Sequence, residues 1–417
     1  MKKIFFFTTL LFSIITLSQS KRVLFLGNSY TQANDLPQLF VNVAQSTNDI
    51  FIVDSNTPGG HTLQQHNSNS TSVSKINQGN WDFVVLQEQS QLPSFPINQV
   101  NSQVFPFAQS LNNLIISQNP CAETVFYMTW GRQNGDSQNC VANPAVCPYE
   151  EMDNLLRDRY MTMTINNEAI VSPVGAVWRY LRTNHPSLNL YSSDGSHPSI
   201  IGSYAAACTF YTTLTRKNPI FITFDSTLTS TDAEIIKLAV KNVVFDHLID
   251  WKIGNYDVIS NFTFSNNSTN EINFENNSSY ATDYTWNFGD GNTSNALNPT
   301  HSYSSGGEYT VTLTASKCGN FTTSQQTIII PNLSNTDLIS ENIKLNIYPN
   351  PTQNNLIIVS NSIIESILIY DINGRLIEFI ENKSSQKIID FSEKKEGFYF
   401  LKIHSNGKTF IKKIIKN

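Results

Sequence analysis

The amino-acid sequence predicts an α/β domain built on a parallel sheet, followed by two small all-β domains. Between residues 21 and 256, short apolar runs typical of buried strands alternate with longer runs of helical period. From about residue 261 the helical period disappears, and alternating strands between Asn, Ser and Gly turns replace it. The length of 417 residues, with 40 % hydrophobic residues, also favours two or three domains over one.

In the first region, strands alternate with helices. The predicted strands are 23–26, 50–54, 83–87 and 124–129, and the predicted helices are 36–45, 104–117, 152–167 and 233–249. Strands that are joined through helices need right-handed crossovers, and these build a parallel sheet covered by helices on both faces.

The rest of the chain divides into two strand-rich modules. Strands are predicted at 261–264, 271–274, 283–288, 308–315 and 325–330, and again at 345–348, 355–359, 366–371, 398–404 and 409–413. Each set has the length and spacing of a small β-sandwich. The expected domains are 21–256, 257–333 and 343–417, with a polar linker at 334–342.

The chain is expected to be exported. Residues 1–20 have the order of a signal peptide, with Met-Lys-Lys, an apolar run to Leu17 and small polar residues. No later apolar run reaches about 18 residues, so no transmembrane segment is predicted. The net charge is -6 and no basic block precedes the last few residues, which argues against nucleic-acid binding.

All five cysteines follow residue 120, and export would permit disulfides. Cys140 and Cys147 are close in the sequence and could pair. Cys121 and Cys208 could also pair, which would leave Cys318 alone. None of the five has the spacing of a zinc site, so no metal is predicted.

The first strand leads directly into a candidate nucleophile. Residues 27–31 read Gly-Asn-Ser-Tyr-Thr, and ligands of parallel sheets bind beyond the carboxyl ends of the strands, so Ser29 is well placed to react. A hydroxyl needs a base, and the base needs a third group that orients it. Residues 194–198 read Asp-Gly-Ser-His-Pro, so Asp194 can reach Nδ1 of His197 while Nε2 faces Ser29.

These two segments resemble the signatures of the SGNH (GDSL-like) hydrolases. Residues 27–30 resemble the GDSL block with Asn for Asp and Tyr for Leu, and residues 194–198 resemble the D-x-x-H-P block. The resemblance covers roughly residues 21–250. It implies a flavodoxin-like three-layer α/β/α fold, a catalytic triad of Ser29, Asp194 and His197, and no requirement for a metal or organic cofactor. The G-x-S-x-G elbow of the α/β-hydrolases is absent.

The same resemblance implies an oxyanion hole with the backbone N–H of Ser29 as its first donor. In the SGNH group the second donor is a Gly N–H after the second strand. Here residues 57–61 read Thr-Pro-Gly-Gly-His, and we expect Gly60 to be this donor, with Gly59 as its rival.

The third donor in that group is usually an Asn side chain after the third strand, which this sequence lacks. Residues 87–90 read Gln-Glu-Gln-Ser, similar to the Gln-containing block of sialate and xylan acetylesterase relatives. Gln87 is therefore the expected third donor, and Gln89 is the alternative.

Further polar and aromatic residues follow the same strand ends. His61, Trp130 and Arg132 are candidates for substrate contact, although each is also explained by loop packing, and a loop His such as His66 is more often solvated or capping. Glu88 could form a glycosidase carboxylate pair with Asp194, but that reading leaves the serine and the histidine unexplained.

The two β modules also resemble known families. Residues 284–291 and 299–311 carry the W-x-F-G-D-G, H-x-Y and G-x-Y-x-V signatures of PKD domains, which implies a spacer or a glycan-contact module without catalysis. Residues 347–351, 369–375 and 397–403 resemble the C-terminal sorting domain of type IX secretion, which implies passage through that secretion machinery to the outer surface or the medium.

The sequence therefore predicts a secreted serine esterase whose expected substrate is an O-acetyl group on a carbohydrate. The carbohydrate assignment depends mainly on fold analogy. Two alternatives stay open: a hydrolase of lipid or short-chain esters, and a surface adhesin or glycan-binding protein whose SGNH domain is inactive.

Overall fold

The computed structural model describes residues 20–331 and 343–417. The predicted signal peptide, apart from Ser20, and the predicted linker 334–342 lie outside the described residues. One compact unit comprises the described residues up to Ser304 together with Glu308–Ile330, and a second begins at Pro331. None of the helices in the described ranges is long and apolar enough to span a membrane.

A five-stranded parallel sheet forms the centre of the first unit. Its strands are β1 (Lys21–Leu26), β2 (Phe51–Asn56), β3 (Phe83–Leu86), β4 (Glu123–Tyr127) and β5 (Ile170–Ser172). Their spatial order is β2-β1-β3-β4-β5, with every neighbouring pair parallel. This is the flavodoxin-like order, so the predicted fold class is confirmed. The sequence did not predict β5, which has only three residues.

Ten α-helices among the described residues accompany the sheet. They are α1 (Ser29–Gln32), α2 (Leu36–Gln45), α3 (Leu63–Ser68), α4 (Ser70–Ile76), α5 (Ile97–Gln103), α6 (Phe105–Gln118), α7 (Tyr149–Asn166), α8 (Val174–Asn184), α9 (Ile200–Thr215) and α10 (Ser230–Val243). Short 3₁₀ turns occur at Ala33–Asp35, Leu92–Ser94, Pro144–Val146, Pro219–Phe221 and Phe245–Trp251. The predicted helix 233–249 is thus divided between α10 and the last of these turns.

The helices form two layers with the sheet between them. Helices α2, α8 and α10 pack around α9, whereas α3, α4, α5 and α7 pack around α6. Phe25 of β1 contacts Phe40 of α2 and Phe210 of α9, and every residue from Val23 to Leu26 is fully buried. Burial of successive residues means that both faces of β1 are covered, as expected for a central parallel strand.

The first unit also contains a small antiparallel module. Its strands are β6 (Phe262–Asn266), β7 (Glu271–Asn276), β8 (Asp283–Asn287), β9 (Thr293–Ser294), β10 (Thr300–Ser302), β11 (Gly307–Lys317) and β12 (Asn320–Ile330). They form one sheet of order β10-β7-β6 and another of order β12-β11-β8-β9. Trp286 is fully buried against Phe262 and Phe274, so the aromatic residues of the predicted signature fill its core.

The disulfides differ in part from the sequence prediction. Cys140 and Cys147 are bonded, as predicted. The predicted pairing of Cys121 with Cys208 is wrong, because Cys121 is bonded to Cys318 at the turn between β11 and β12. Cys208 lies fully buried inside α9 as a free thiol. The exposed turn before β4 contacts the antiparallel module through this bond. No pattern in the sequence predicts that contact.

The second unit is an antiparallel sheet. Its strands are β13 (Leu345–Tyr348), β14 (Asn355–Asp371), β15 (Leu376–Asp390), β16 (Gly397–Ser405) and β17 (Lys408–Lys416). The predicted strands 355–359 and 366–371 are one strand, β14, whose register shifts between Val359 and Ile364. The sequence did not predict β15, because its many polar residues obscure the alternation.

Candidate active site

Ser29 lies in a tight turn directly after β1. Asn28 caps α1, and its Oδ1 accepts a hydrogen bond from the Tyr30 N–H at 3.1 Å. A Cβ on Gly27 would lie 2.4 Å from Thr31 Oγ1 and 2.7 Å from Gln87 Oε1, so no larger residue fits there. The turn therefore places Ser29 as the first residue of α1, at the carboxyl end of the sheet.

The structure brings Ser29, His197 and Asp194 together. His197 Nε2 lies 2.8 Å from Ser29 Oγ, and Nδ1 lies 2.5 Å from Asp194 Oδ2. The side chains of His197 and Asp194 keep 40 % and 48 % of their surface exposed, so the cluster is open to solvent. This is the hydrogen-bonding order of a serine nucleophile, its base and the carboxylate that orients the base.

The carboxylate of Asp194 is fixed by its own loop. Its Oδ1 accepts hydrogen bonds from the N–H groups of Ser196 and His197 at 2.9 and 3.0 Å. Partial burial acts to raise the pKa of Asp194, but the hydrogen bonds from the His197 ring and from these N–H groups hold it below the ordinary value. Asp194 therefore stays ionised at neutral pH and keeps the His197 Nδ1 proton in place.

A stack of aromatic rings supports the loop of residues 194–197, which carries Asp194 and His197. The Tyr30 ring is parallel to that of Trp130, with centroids 4.9 Å apart, and Trp130 stacks on Trp178 at 3.7 Å. Trp130 Nε1 donates to the Ser196 carbonyl at 3.1 Å, and the Tyr30 hydroxyl lies 2.6 Å from Ser196 Oγ. The prediction that Trp130 contacts substrate is wrong, because the ring is fully buried and holds the loop instead.

Free backbone donors lie in the nucleophile turn and in the loop after β2. In the parts of the chain that the structure describes, the N–H groups of Ser29, Gly59 and Gly60 donate to no protein acceptor, so the choice of Gly60 over Gly59 stays a prediction. The loop that carries Gly60 is held against the nucleophile turn, because Asn28 Nδ2 donates to the His61 carbonyl at 3.0 Å. Gly60 has a φ of 70°, a conformation that favours glycine.

Gln87 occupies a different position from the one predicted. It is fully buried, and its Nε2 donates to Asn28 Oδ1 at 2.9 Å and to the Glu88 carbonyl at 2.6 Å. Its Oε1 accepts from the Asn28 N–H at 3.0 Å and from the Thr31 hydroxyl at 2.8 Å. Both N–H bonds of the amide are therefore used within the protein, and the predicted role as an oxyanion donor is wrong. Gln87 holds the nucleophile turn instead.

Gln89, the alternative donor, is half-buried. Its Nε2 lies 3.1 Å from Gln91 Oε1, and its Oε1 accepts from the N–H groups of Gln91 and Leu92. This side chain therefore organises the turn that follows β3.

His66 has a role that the sequence analysis missed. Its Nε2 lies 2.8 Å from the carbonyl oxygen of Gly27, and its Nδ1 lies 2.7 Å from Ser72 Oγ. A carbonyl oxygen only accepts, so Nε2 carries the proton. Burial lowers the pKa of His66 to about 4, which keeps the ring neutral at physiological pH. Leu63 and His66 are the buried residues of α3, and their three-residue spacing is the signal that could have indicated a supporting role.

Two further candidates lie at the edge of the site. His61 is half-buried, with its ring 5.2 Å from that of His66. Arg132 Nη1 lies 3.1 Å from Asp136 Oδ1, and the neighbouring Gln133 N–H donates to the Gly195 carbonyl at 2.8 Å. The substrate contacts predicted for His61 and Arg132 stay predictions.

The glycosidase alternative finds no support in this geometry. Glu88 is fully buried, and burial raises its pKa to about 8. A carboxyl group without exposed surface has no access to a glycosidic bond. Among the described residues, no group of three or more His, Cys, Asp or Glu side chains is placed to hold a metal ion.

Comparison with known families identifies the two β modules. Residues 260–330 match the family model of the PKD domain, and residues 346–417 match that of the secretion system C-terminal sorting domain. Both predicted resemblances are confirmed. The sorting domain indicates export through type IX secretion machinery, to the cell surface or the medium. A search among curated proteins finds no match to this chain.

Solved structures resemble the first region at low identity. A DUF4886 family protein from Bacteroides uniformis is 18 % identical, with a TM-score of 0.48, and the match covers 54 % of this chain and 94 % of that one. A protein from Slackia heliotrinireducens, provisionally assigned as an SGNH hydrolase, is 25 % identical with a TM-score of 0.39, covering 47 % of this chain and 100 % of that one.

The PKD module has a solved counterpart of its own. The PKD1 domain of the Vibrio cholerae metalloprotease PrtV is 34 % identical, with a TM-score of 0.17, and the match covers 18 % of this chain and 96 % of that one. In fold, the chain is thus a flavodoxin-like α/β domain followed by a PKD domain and a sorting domain.

Proposed function

We propose that this protein is an exported serine esterase that removes O-acetyl groups from a carbohydrate. The observation that carries the proposal is the continuous hydrogen-bonded chain from Ser29 Oγ through the His197 ring to Asp194. Its position at the carboxyl ends of parallel strands, in a solvent-accessible loop, supports the same conclusion.

The geometry supports an acyl-enzyme mechanism. Ser29 Oγ attacks the ester carbonyl while His197 Nε2 accepts its proton, and Asp194 stabilises the resulting imidazolium. The N–H groups of Ser29 and Gly60 would donate to the developing oxyanion, each worth about 3–4 kcal/mol when well placed. His197 then protonates the leaving alcohol, and a water molecule activated by the same ring releases the acid.

The test of catalysis compares hydrolysis of an aryl acetate by the wild type and by Ser29→Ala. We expect kcat to fall by about 10³-fold or more in the variant, since the nucleophile is removed. Ser102→Ala, at an exposed position of α5, is the matched control and should keep the wild-type rate. Equal rates for wild type and Ser29→Ala, or no hydrolysis by either, would favour an adhesin with an inactive domain.

The test of substrate class measures acetate release from a panel of acetylated polysaccharides, beside aryl esters of increasing acyl length. A carbohydrate esterase should release acetate from at least one polysaccharide and lose activity as the acyl chain lengthens. A preference for long acyl chains, without acetate release from any polysaccharide, would instead identify a hydrolase of lipid esters.

A further inference from the structure

Glu88 is a fully buried ionisable residue that has no part in the proton transfers described above. The Leu63 N–H donates to both of its carboxyl oxygens, at 3.2 Å each, and the Gln89 N–H donates to Oε1 at 2.6 Å. Its own N–H donates to the Tyr160 hydroxyl at 3.2 Å. The carboxyl group thus connects the end of β3 to the beginning of α3.

The segment between β2 and α3, residues 57–62, carries Gly60 and is here termed the glycine loop. It is held at two points near Gly60: the His61 carbonyl accepts from Asn28, and Leu63, the residue after the loop, donates to Glu88. An added Cβ on Gly60 would meet nothing within 4 Å, so the loop has no packing on that side to hold it. Burial of Leu63 anchors the end of the loop in the core, and these polar contacts set the direction of the backbone between that anchor and Gly60.

Two successive residues at the end of β3 hold the two loops of the site. Gln87 binds Asn28 in the nucleophile turn, and Glu88 binds the first residue after the glycine loop. Asn28 in turn binds the His61 carbonyl, which closes a ring of hydrogen bonds through the ends of β1, β2 and β3. The free N–H groups of Ser29 and Gly60 belong to the two loops that this ring connects.

We propose that Glu88 is a positioning residue for the esterase reaction: its carboxyl group holds the glycine loop so that the Gly60 N–H reaches the oxyanion together with the Ser29 N–H. The inference rests on the proposed function. Glu88 itself touches no substrate atom and acts only through the loop.

The surroundings of Glu88 favour its neutral form. Burial raises its pKa to about 8, and the only hydrogen bonds that oppose this come from backbone N–H groups. Tyr160 of α7, whose hydroxyl accepts from the Glu88 N–H, is the titratable neighbour, and among the described residues no cationic side chain contributes to the pKa of Glu88. Deprotonation at alkaline pH would place an uncompensated charge beneath the glycine loop.

The experiment compares Glu88→Ala and Glu88→Gln with the wild type, using an aryl acetate. Loss of the carboxyl acceptor in Glu88→Ala should release Leu63 and lower kcat by about 10- to 100-fold with little change in KM, because an oxyanion donor acts in the transition state. Glu88→Gln keeps an acceptor oxygen without the titrating group. This variant should retain kcat within about threefold. It should also stay active above about pH 8, where the activity of the wild type falls.

A matched control is Glu123→Gln, which changes a mostly buried carboxyl group at the opposite end of the same sheet and should leave kcat and the pH profile unchanged. An active wild type with unaltered kcat in Glu88→Ala would overturn the inference. If Glu88→Ala does not fold, Glu88→Asp, which withdraws the acceptor by one methylene, replaces it, and an unaltered kcat in that variant would overturn the inference as well. Failure of the proposed function itself would appear differently, as equal rates of wild type and Ser29→Ala.

Discussion

The two ends of the central sheet are used in different ways. At the carboxyl ends of β1, β3 and β4 lie Ser29, Gln87 and Trp130. Gln87 and Trp130 hold the nucleophile turn through its residues Asn28 and Tyr30, by a hydrogen bond and by ring stacking. At the amino end, the turn before β4 carries Cys121, which is bonded to Cys318 of the PKD module. One end therefore holds the candidate chemistry, and the other fastens the neighbouring domain.

A second contact supports this division. Arg216, at the end of α9, pairs with Asp257 in the segment that leads to the PKD module, with Nη2 and Oδ1 2.9 Å apart. Helix α9 begins directly after the His197 loop, so its far end lies at the amino end of the sheet. The PKD module is thus attached away from the candidate site, which favours a spacer or bracing role over contact with the reacting ester. Substitutions at the carboxyl end should therefore lower activity, and substitutions at the amino end should lower stability.

The largest effect is expected from His197→Ala. Without the base, kcat for an aryl acetate should fall by about 10⁴- to 10⁶-fold, and combination with Ser29→Ala should add little because the two residues act as one unit. The midpoint of urea unfolding should stay near that of the wild type, since the side chain is 40 % exposed. Full activity of His197→Ala would contradict the assignment of the active site to the carboxyl end of the sheet.

At the other end, Cys121→Ser with Cys318→Ser should lower the free energy of unfolding and leave kcat unchanged. The bond closes a loop with a sequence separation of 197, for which chain entropy predicts about 5 kcal/mol. Urea unfolding under non-reducing conditions measures this change.

The matched control for that pair is the other disulfide. Cys140→Ser with Cys147→Ser opens a loop with a separation of only 7, so its loss should cost about half as much. Equal losses of stability from the two pairs, or a loss of kcat from the first pair, would contradict the division between the two ends.

Trp130→Ala is expected to affect both properties, because packing and chemistry coincide at the carboxyl end. Removing a buried Trp costs about 3–5 kcal/mol, and here the loop of Ser196 and His197 also loses the rings and the Nε1 donor beneath it. Urea unfolding and aryl acetate kinetics should both reveal the loss. Trp130→Phe, which keeps a ring in the stack, should lose less of each, and a fully stable Trp130→Ala would argue against the support role.

The elements predicted correctly are those whose residues show a clear hydrophobic period or a recognisable turn. The apolar run of β1, the position of Ser29 and the bounds of α2 follow from periodicity and from the turn at Gly27. Strand β5 was missed because three residues carry no period. The pairing of Cys121 with Cys318 depends on how two domains meet, which no local pattern encodes.

The candidate site shows the same limit at the level of single side chains. The sequence placed Gln87 and Trp130 at the correct strand ends, but it could not tell whether each side chain faces substrate or the protein interior. Gln87 turns inward because the space beside Gly27 lets its amide reach Asn28. Orientation of this kind depends on tertiary packing, so it becomes visible only in the structure.

The remaining prediction concerns the pH dependence of stability at Glu88. Its pKa is about 8 in the folded protein against 4.5 without burial, so the folded state binds the proton more tightly between these values. Stability from this residue is therefore complete below about pH 4.5 and is lost as the pH rises to about 8, with a slope of at most about 1.4 kcal/mol per pH unit.

Glu88→Gln lacks this slope. Urea unfolding at several pH values should show the variant gaining on the wild type toward alkaline pH, whereas Glu234→Gln, at an exposed position of α10, should follow the wild type. A constant difference between Glu88→Gln and wild type would mean that the carboxyl group is already ionised in the folded protein.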